Sequence, residues 1–223
     1  MKFGRKSRIE EPIEADDAGA LDDVEPTPAS TAGPYDATEV EDLDERDCID
    51  LGSLLVTPAG PLEMRLQVDE QSGEVIAAVL VDEQGALELR AFAASRGGGS
   101  WDELRPRISA ETARMGGTAT EEEGTFGTEL VCVVPMETPE GQQATQITRI
   151  SGHEGPNWLL RATLMGQPAA EPATAELWEQ TIRSVVVRRG REAMAPGAPL
   201  RLTLPPDARQ VEAPGEAPGQ APV

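Results

Sequence analysis

Few residues in this chain could carry chemistry. His153 is the sole histidine, so any histidine-based general base or metal site must use it. It stands in His153-Glu154-Gly155-Pro156, which reads as a turn between two strands, where polar residues are expected for local reasons. No second histidine or cysteine is near enough in sequence to complete a zinc set. A serine nucleophile would have only His153 to recruit, and no Gly-x-Ser-x-Gly elbow occurs. Glu121-Glu122-Glu123 is a dense carboxylate run, and crowded carboxylates raise one another's pKa or hold a hard cation. If that run is a strand, Glu121 and Glu123 share one face and Glu122 the other. That is the pattern of a solvated edge that resists strand addition. Arg96-Gly97-Gly98-Gly99-Ser100 precedes a helical stretch whose first N–H groups could cradle a phosphate. It lacks both the Walker lysine and the GxGxxG spacing. Trp101, Trp158 and Trp178 default to core packing, although two of them at one end of a sheet would mark a groove. The residues therefore assemble no catalytic set, no cofactor site and no metal site. Trp101, Glu121, Glu123, His153 and Trp158 remain as pocket candidates.

The elements that must position these residues follow from hydrophobic periodicity. Leu62, Met64, Leu66 and Val68 alternate with Glu63, Arg65 and Gln67, the period of a half-buried strand. Val75 to Val81 is a second, almost wholly apolar strand. In Ala86 to Ala94, a third, Leu87 and Leu89 face away from Glu88 and Arg90. Short turns at residues 69–73 and 82–85 make these three an antiparallel meander. Ser100 reads as the cap of a helix, with Glu103 completing a capping box and Gly116-Gly117 ending it. Pro106 lies too far inside that helix for a first-turn proline and removes one backbone hydrogen bond, so either the first turn is a separate short turn or the helix is kinked there. A second strand set follows: Thr118 to Glu123 as an edge, Thr128 to Val134, Gln142 to Ser151, and Trp158 to Met165. Pro172 then opens a second helix with an apolar face of Leu177, Trp178, Thr181, Ile182 and Val185. Ser184 to Val187 closes the domain, with Leu200 to Leu204 as an added edge strand. Strands and helices do not alternate, so the class is α+β: a single antiparallel sheet packed by two main helices, in the order meander, helix, meander, helix.

Composition sets the domain limits. Residues 10–47 hold fifteen acidic residues and one basic one, Arg46, among Pro, Ala and Thr. Such a segment lacks the apolar surface to offset its ordering entropy and reads as disordered. The Pro/Ala/Gly-rich residues 205–223 read the same way. The expected plan is an N-terminal tail over 1–49, a domain over 50–204, and a C-terminal tail over 205–223. The basic start, residues 1–8, has no apolar run behind it and does not read as a secretory signal.

The formal net charge is −21, which repels phosphate backbones and anionic bilayers. Neither nucleic acid nor membrane is therefore an expected partner, and a basic protein is favoured. Arg188, Arg189 and Arg191 form a local basic cluster, expected to pair with neighbouring carboxylates. Two cysteines, Cys48 in the tail and Cys132 in an apolar run, give no disulfide framework, and the cytoplasm is the expected compartment.

Several ordered landmarks carry a resemblance. Gly33-Pro34-Tyr35-Asp36, Leu51-Gly52-Ser53-Leu54, Leu89-Arg90-Ala91-Phe92-Ala93-Ala94, Trp101-Asp102-Glu103-Leu104, Phe126-Gly127-Thr128-Glu129-Leu130 and Val185-Val186-Val187-Arg188-Arg189-Gly190 are similar to an actinobacterial family of uncharacterised proteins, domain-of-unknown-function family 3710. Arginine is the only basic residue type after Lys6 apart from His153, which fits a GC-rich genome. That family implies no activity and no catalytic residues. The element order also resembles the Mog1/PsbP-type fold of small binding and assembly proteins, which implies an architecture but no function.

Two functions compete on this basis. One is a non-catalytic protein-binding or adaptor domain that uses a sheet face or groove. The other is a small-molecule site or enzyme in which Glu121, Glu123, His153 and the Gly97–Ser100 loop converge on one pocket. Geometry separates them: the second requires those residues to meet in one concavity.

Overall fold

A computed structural model describes residues 33–43, 46–69, 71–138 and 141–205. The acidic residues up to 32 and the tail after 205 lie outside them. The chain runs β1 (Tyr35–Asp36), β2 (Ile49–Asp50), β3 (Leu54–Val56), β4 (Glu63–Val68), β5 (Val75–Val81), β6 (Gly85–Ala93), α1 (Ser100–Arg114), β7 (Thr118–Gly124), β8 (Gly127–Glu137), β9 (Gln143–Gly155), β10 (Trp158–Gly166), α2 (Gln167–Ala170), a 3-10 turn (Pro172–Thr174), α3 (Glu176–Ser184) and β11 (Val186–Val187).

The class is α+β, but the expected single sheet is two. The main sheet is fully antiparallel, in the order β4-β5-β6-β10-β9-β8-β7. A second sheet, β1-β11-β3-β2, is antiparallel except that β1 runs parallel to β11. Its strands are two or three residues long, too short to show a period in the sequence. The expected domain edge at residue 50 also shifts, because Tyr35–Asp36 pairs with Val186–Val187 inside this second sheet.

The main sheet has two unlike faces, fixed by its pleat. On the inner face, Trp158, Leu160, Ala162 and Leu164 of β10 stand opposite Ala93, Ala91, Leu89 and Leu87 of β6. Together with Leu54, Val56, Trp178, Ile182 and Val187 from the small sheet and α3, they form the principal core. On the outer face, α1 packs over β7, β8 and β9. Trp101, Leu130, Cys132, Ile150 and Leu159 make a second, smaller core there.

Helix boundaries depart from expectation in two places, and strand boundaries in two more. Ser100 is the first residue of α1 rather than its cap: Gly99 holds that position at φ 78°, with no side-chain bond of its own. Glu154 supplies the cap from β9, accepting from the Gly99 and Trp101 N–H groups at 3.1 Å each. α1 runs through Pro106, and Gly116 ends it at φ 79°. Pro172 opens the 3-10 turn instead of the last helix, so that apolar face belongs to the separate α3. The His153-Glu154 stretch is strand, and the tight turn moves to Pro156-Asn157, with Asn157 at φ 63°. The expected edge strand at Leu200 to Leu204 is not formed; residues 197–202 instead run along the inner strands. Their bonds to Ala91 and Ala93 and their bridges to Phe92, Val75 and Gly52 wedge them between β6 and β5.

Candidate functional site

The five pocket candidates divide between the two faces. Glu121 and Glu123 pair across to Leu130 and Thr128 and lie on the outer face with Trp101. The Gly97–Ser100 loop enters α1 on that same side. His153 pairs with Leu160, and Trp158 with Gly155, so both lie on the inner face. The sheet itself separates the two groups, and the pocket that would have joined them is not formed.

Each candidate has a local partner. The Trp101 indole N–H donates to the Thr128 carbonyl at 2.8 Å, and its ring covers Gly152, where a Cβ would overlap it. Arg105 donates to Glu121 at 3.1 Å, and the Thr128 hydroxyl donates to Glu123 at 2.9 Å. Glu122 points to the inner face and meets Arg149 at 3.4 Å. The carboxylate run is thus a charged edge strand, as its alternation implies. Among the described residues, no group of three or more His, Cys, Asp or Glu side chains is placed to hold a metal ion.

His153 and Trp158 line a cleft of about 360 Å³ on the inner side, together with Phe126, Arg183, Glu39 and Pro34. Its polar groups are largely engaged with one another. His153 Nε2 lies 3.0 Å from Ser151 Oγ, and the Phe126 ring meets the imidazole edge-on at 4.6 Å. Ser151 is two residues away on the same strand face, so the histidine does have a serine partner that spacing alone did not single out. Both are buried. Burial pushes the His153 pKa down to about 4, which keeps the ring neutral. No carboxylate among the described residues bonds Nδ1, so the triad's orienting acid is missing from this pair. Arg183 donates to Glu179 at 3.0 Å and stacks over Phe126, while the Thr125 hydroxyl donates to Glu179 at 2.8 Å. The Trp158 N–H donates to buried Asp36 at 2.7 Å. Beside the cleft, burial raises the Glu129 pKa, opposed by the Phe126 N–H and by Arg149 at 3.3 Å. These bonds fasten α3 and the β1 segment to the main sheet.

Unpartnered chemistry sits elsewhere. α1 lies over β7, β8 and β9 and reaches Leu159 at the start of β10, while the outer-face residues of β4, β5, β6 and the rest of β10 lie outside its core. Phe92, Val79, Val81 and Met165 are half-buried there and pack into neither core. The Arg90 and Arg161 guanidiniums flank Phe92, at 5.9 and 5.8 Å from its ring centre. The two arginines are direct cross-strand partners. Arg161 reaches Glu88 at 2.9 Å, whereas Arg90 has no ion-pair partner among the described residues. Arg90 Nε, Arg161 Nε and Thr163 Oγ1 are buried and without a hydrogen-bond partner. Buried polar atoms are nearly always satisfied, and like charges directly opposite each other in a sheet destabilise it. Those three atoms are themselves covered, so what an acceptor from outside could meet is the exposed ends of the two guanidiniums. The sequence carried part of this signal in the Glu88/Arg90 alternation, with Phe92 on the same polar face.

The basic cluster after β11 behaves differently. Arg188 bonds both oxygens of Asp50 and the Gly52 carbonyl, and Arg189 bonds the Asn157 and Glu192 carbonyls.

Fold and site together define an α+β domain with one half-open sheet face. The chain belongs to a family described as proteins of unknown function (DUF3710), matched over residues 33–211. No curated protein matches the sequence. A crystal structure from Bacteroides thetaiotaomicron VPI-5482 is similar over 62% of this chain and 49% of that one, at 12% identity and a TM-score of 0.33. The chain thus spans about half the length of that structure, and a likeness this slight transfers neither fold nor activity. No helix among the described residues is long and apolar enough to cross a membrane.

Proposed function

We propose that this is a non-catalytic binding domain that holds a protein partner on the uncovered half of the outer sheet face. The observation behind this is a contrast of degree: the inner face keeps one unpartnered buried donor, Arg149 Nε, whose guanidinium is otherwise held by Glu122 and Glu129, while three such atoms gather around Phe92 and Arg90 has no ion-pair partner among the described residues. A half-buried aromatic flanked by arginines is the composition of an interface centre, where Arg and aromatic residues contribute most. The chemistry it fits is a segment with carboxylates beside an apolar side chain, since a carboxylate takes the guanidinium fork in two bonds. A basic partner, which the net charge favours, would be drawn by the acidic residues before 33 instead.

A photo-crosslinking amino acid placed at Phe92, and separately at Phe126, in the full chain tests the assignment in the cell of origin. The Phe92 position is expected to give a discrete intermolecular product that the Phe126 position does not. Products from Phe126 alone would move the binding site to the cleft.

A further inference from the structure

We infer that the chain's own acidic segment, residues 10–32, docks on the Phe92/Arg90/Arg161 face and competes there with the partner. The inference rests on the binding role proposed for that face. Residues 10–32 contain eight carboxylates, no Lys or Arg, and the apolar residues Ile13, Leu21 and Val24. Both parts of the chemistry the face lacks are therefore present in one stretch. The rest of the face does not supply them: Glu63 is taken by Arg65 at 3.1 Å and Glu88 by Arg161, which leaves Arg90 as the uncompensated charge.

Charge and geometry both favour this segment over an acidic protein from outside. A separate acidic molecule approaches a chain of net charge −21 and is repelled at long range. A tethered segment is already present, at an effective concentration on the order of millimolar. The tether also starts in the right place. Gly33 lines the inner cleft beside Gly155, Pro156 and Trp158, at the β9–β10 turn. Arg161 lies three residues along β10 from Trp158, about 10 Å, and the Arg90 and Phe92 positions lie directly across from Arg161 and Leu159. Glu25, Asp23 and Asp22 precede Gly33 by eight to eleven residues, a reach of up to about 26–36 Å. The segment can therefore pass over the end of the sheet at that turn and place carboxylates against both guanidiniums.

The test uses the full chain with Cys48→Ser and Val24→Cys, carrying a nitroxide at position 24. Amide resonances of Phe92, Arg161 and Thr163 are expected to broaden, while those of Ser109 and Thr112 on α1 do not. The broadening should fade when salt is raised from about 0.05 to about 0.5 M, because screening weakens exposed ion pairs. It should also vanish in Arg90→Gln/Arg161→Gln. A second variant, with the eight carboxylates of 10–32 changed to amides, leaves every described residue untouched and should abolish it too. Broadening that is absent, spread evenly, or centred on the cleft overturns the inference. A glutamate-rich peptide containing one phenylalanine, added to the amide variant, then reads the face separately. If it binds at Phe92, the face remains a docking surface without its own segment on it. If it binds nowhere, both readings fall.

Discussion

The two faces of the main sheet are built by the same strands and differ in what covers them. Leu89 and Arg90 are neighbours on β6, yet Leu89 is fully buried in the principal core while Arg90 is half-exposed with an unpartnered Nε. On the inner face, side chains from the small sheet and α3 close over β5, β6 and β10, and the polar groups caught there are bonded apart from Arg149 Nε. On the outer face one helix covers β7, β8, β9 and the start of β10, and stops. Stability is therefore expected to reside mainly on the inner face and recognition on the outer one.

Substitutions at both faces can break that division. Leu89→Ala should cost about 2–5 kcal/mol in urea unfolding, the usual range for a Leu truncated in a packed core. Phe92→Ala, three residues on, should cost clearly less, and equal losses would erase the contrast between the faces. Next comes pH. The His153 pKa falls from 6.5 to about 4 on folding, so between those values the unfolded chain takes up a proton that the folded ring refuses. Stability is then complete above about pH 6.5 and declines toward pH 4, by about 3 kcal/mol in all. The burial-raised carboxyl of Glu129 acts in the opposite sense, losing its contribution as pH rises. The difference in slope between the natural chain and His153→Leu isolates the histidine, and parallel curves would show that it is not buried neutral.

Smaller effects sharpen the outer face. Gly152→Ala puts a Cβ into the Trp101 indole and should cost about 1–3 kcal/mol, as overpacking does. Glu154→Ala removes the acceptor for two α1 N–H groups and should cost about 0.5–2 kcal/mol in thermal melts, with fraying confined to the first turn of α1. Arg90→Gln should change stability by less than about 0.5 kcal/mol while weakening binding at Phe92. A large loss of stability there would make Arg90 a structural residue.

The long elements were legible in the sequence because they repeat their period over several turns or pleats. β4 and β6 alternate as the Leu62 and Leu87 stretches imply, β8 contains the expected Thr128–Val134 strand, and α1 ends at its glycines. The small sheet was not legible, since β1, β2 and β11 contribute two residues each and gain their pairing only from the tertiary fold. The cap of α1 was misplaced for a related reason: Ser100 satisfies the local rule, but Glu154, more than fifty residues away, occupies the site with both carboxyl oxygens. The candidate pocket failed because periodicity assigns a residue to a face of its own strand without saying which faces of different strands agree. Glu121 and His153 fall on opposite sides through the register of β7, β8 and β9, which no local pattern reports. The arginine pair at Phe92 was visible only as alternation, and its missing partners appear only when β6 and β10 are set side by side.

Where an acidic ligand binds decides between the two faces. Amide chemical shifts of the full chain, with the carboxylates of residues 10–32 changed to amides, can be followed while a glutamate-rich peptide containing one phenylalanine is added at low salt. Shifts centred on Arg90, Phe92, Arg161 and Thr163, and lost in Arg90→Gln/Arg161→Gln, are the predicted result. Shifts centred on Phe126, His153 and Arg183, or no shifts at all, would contradict it.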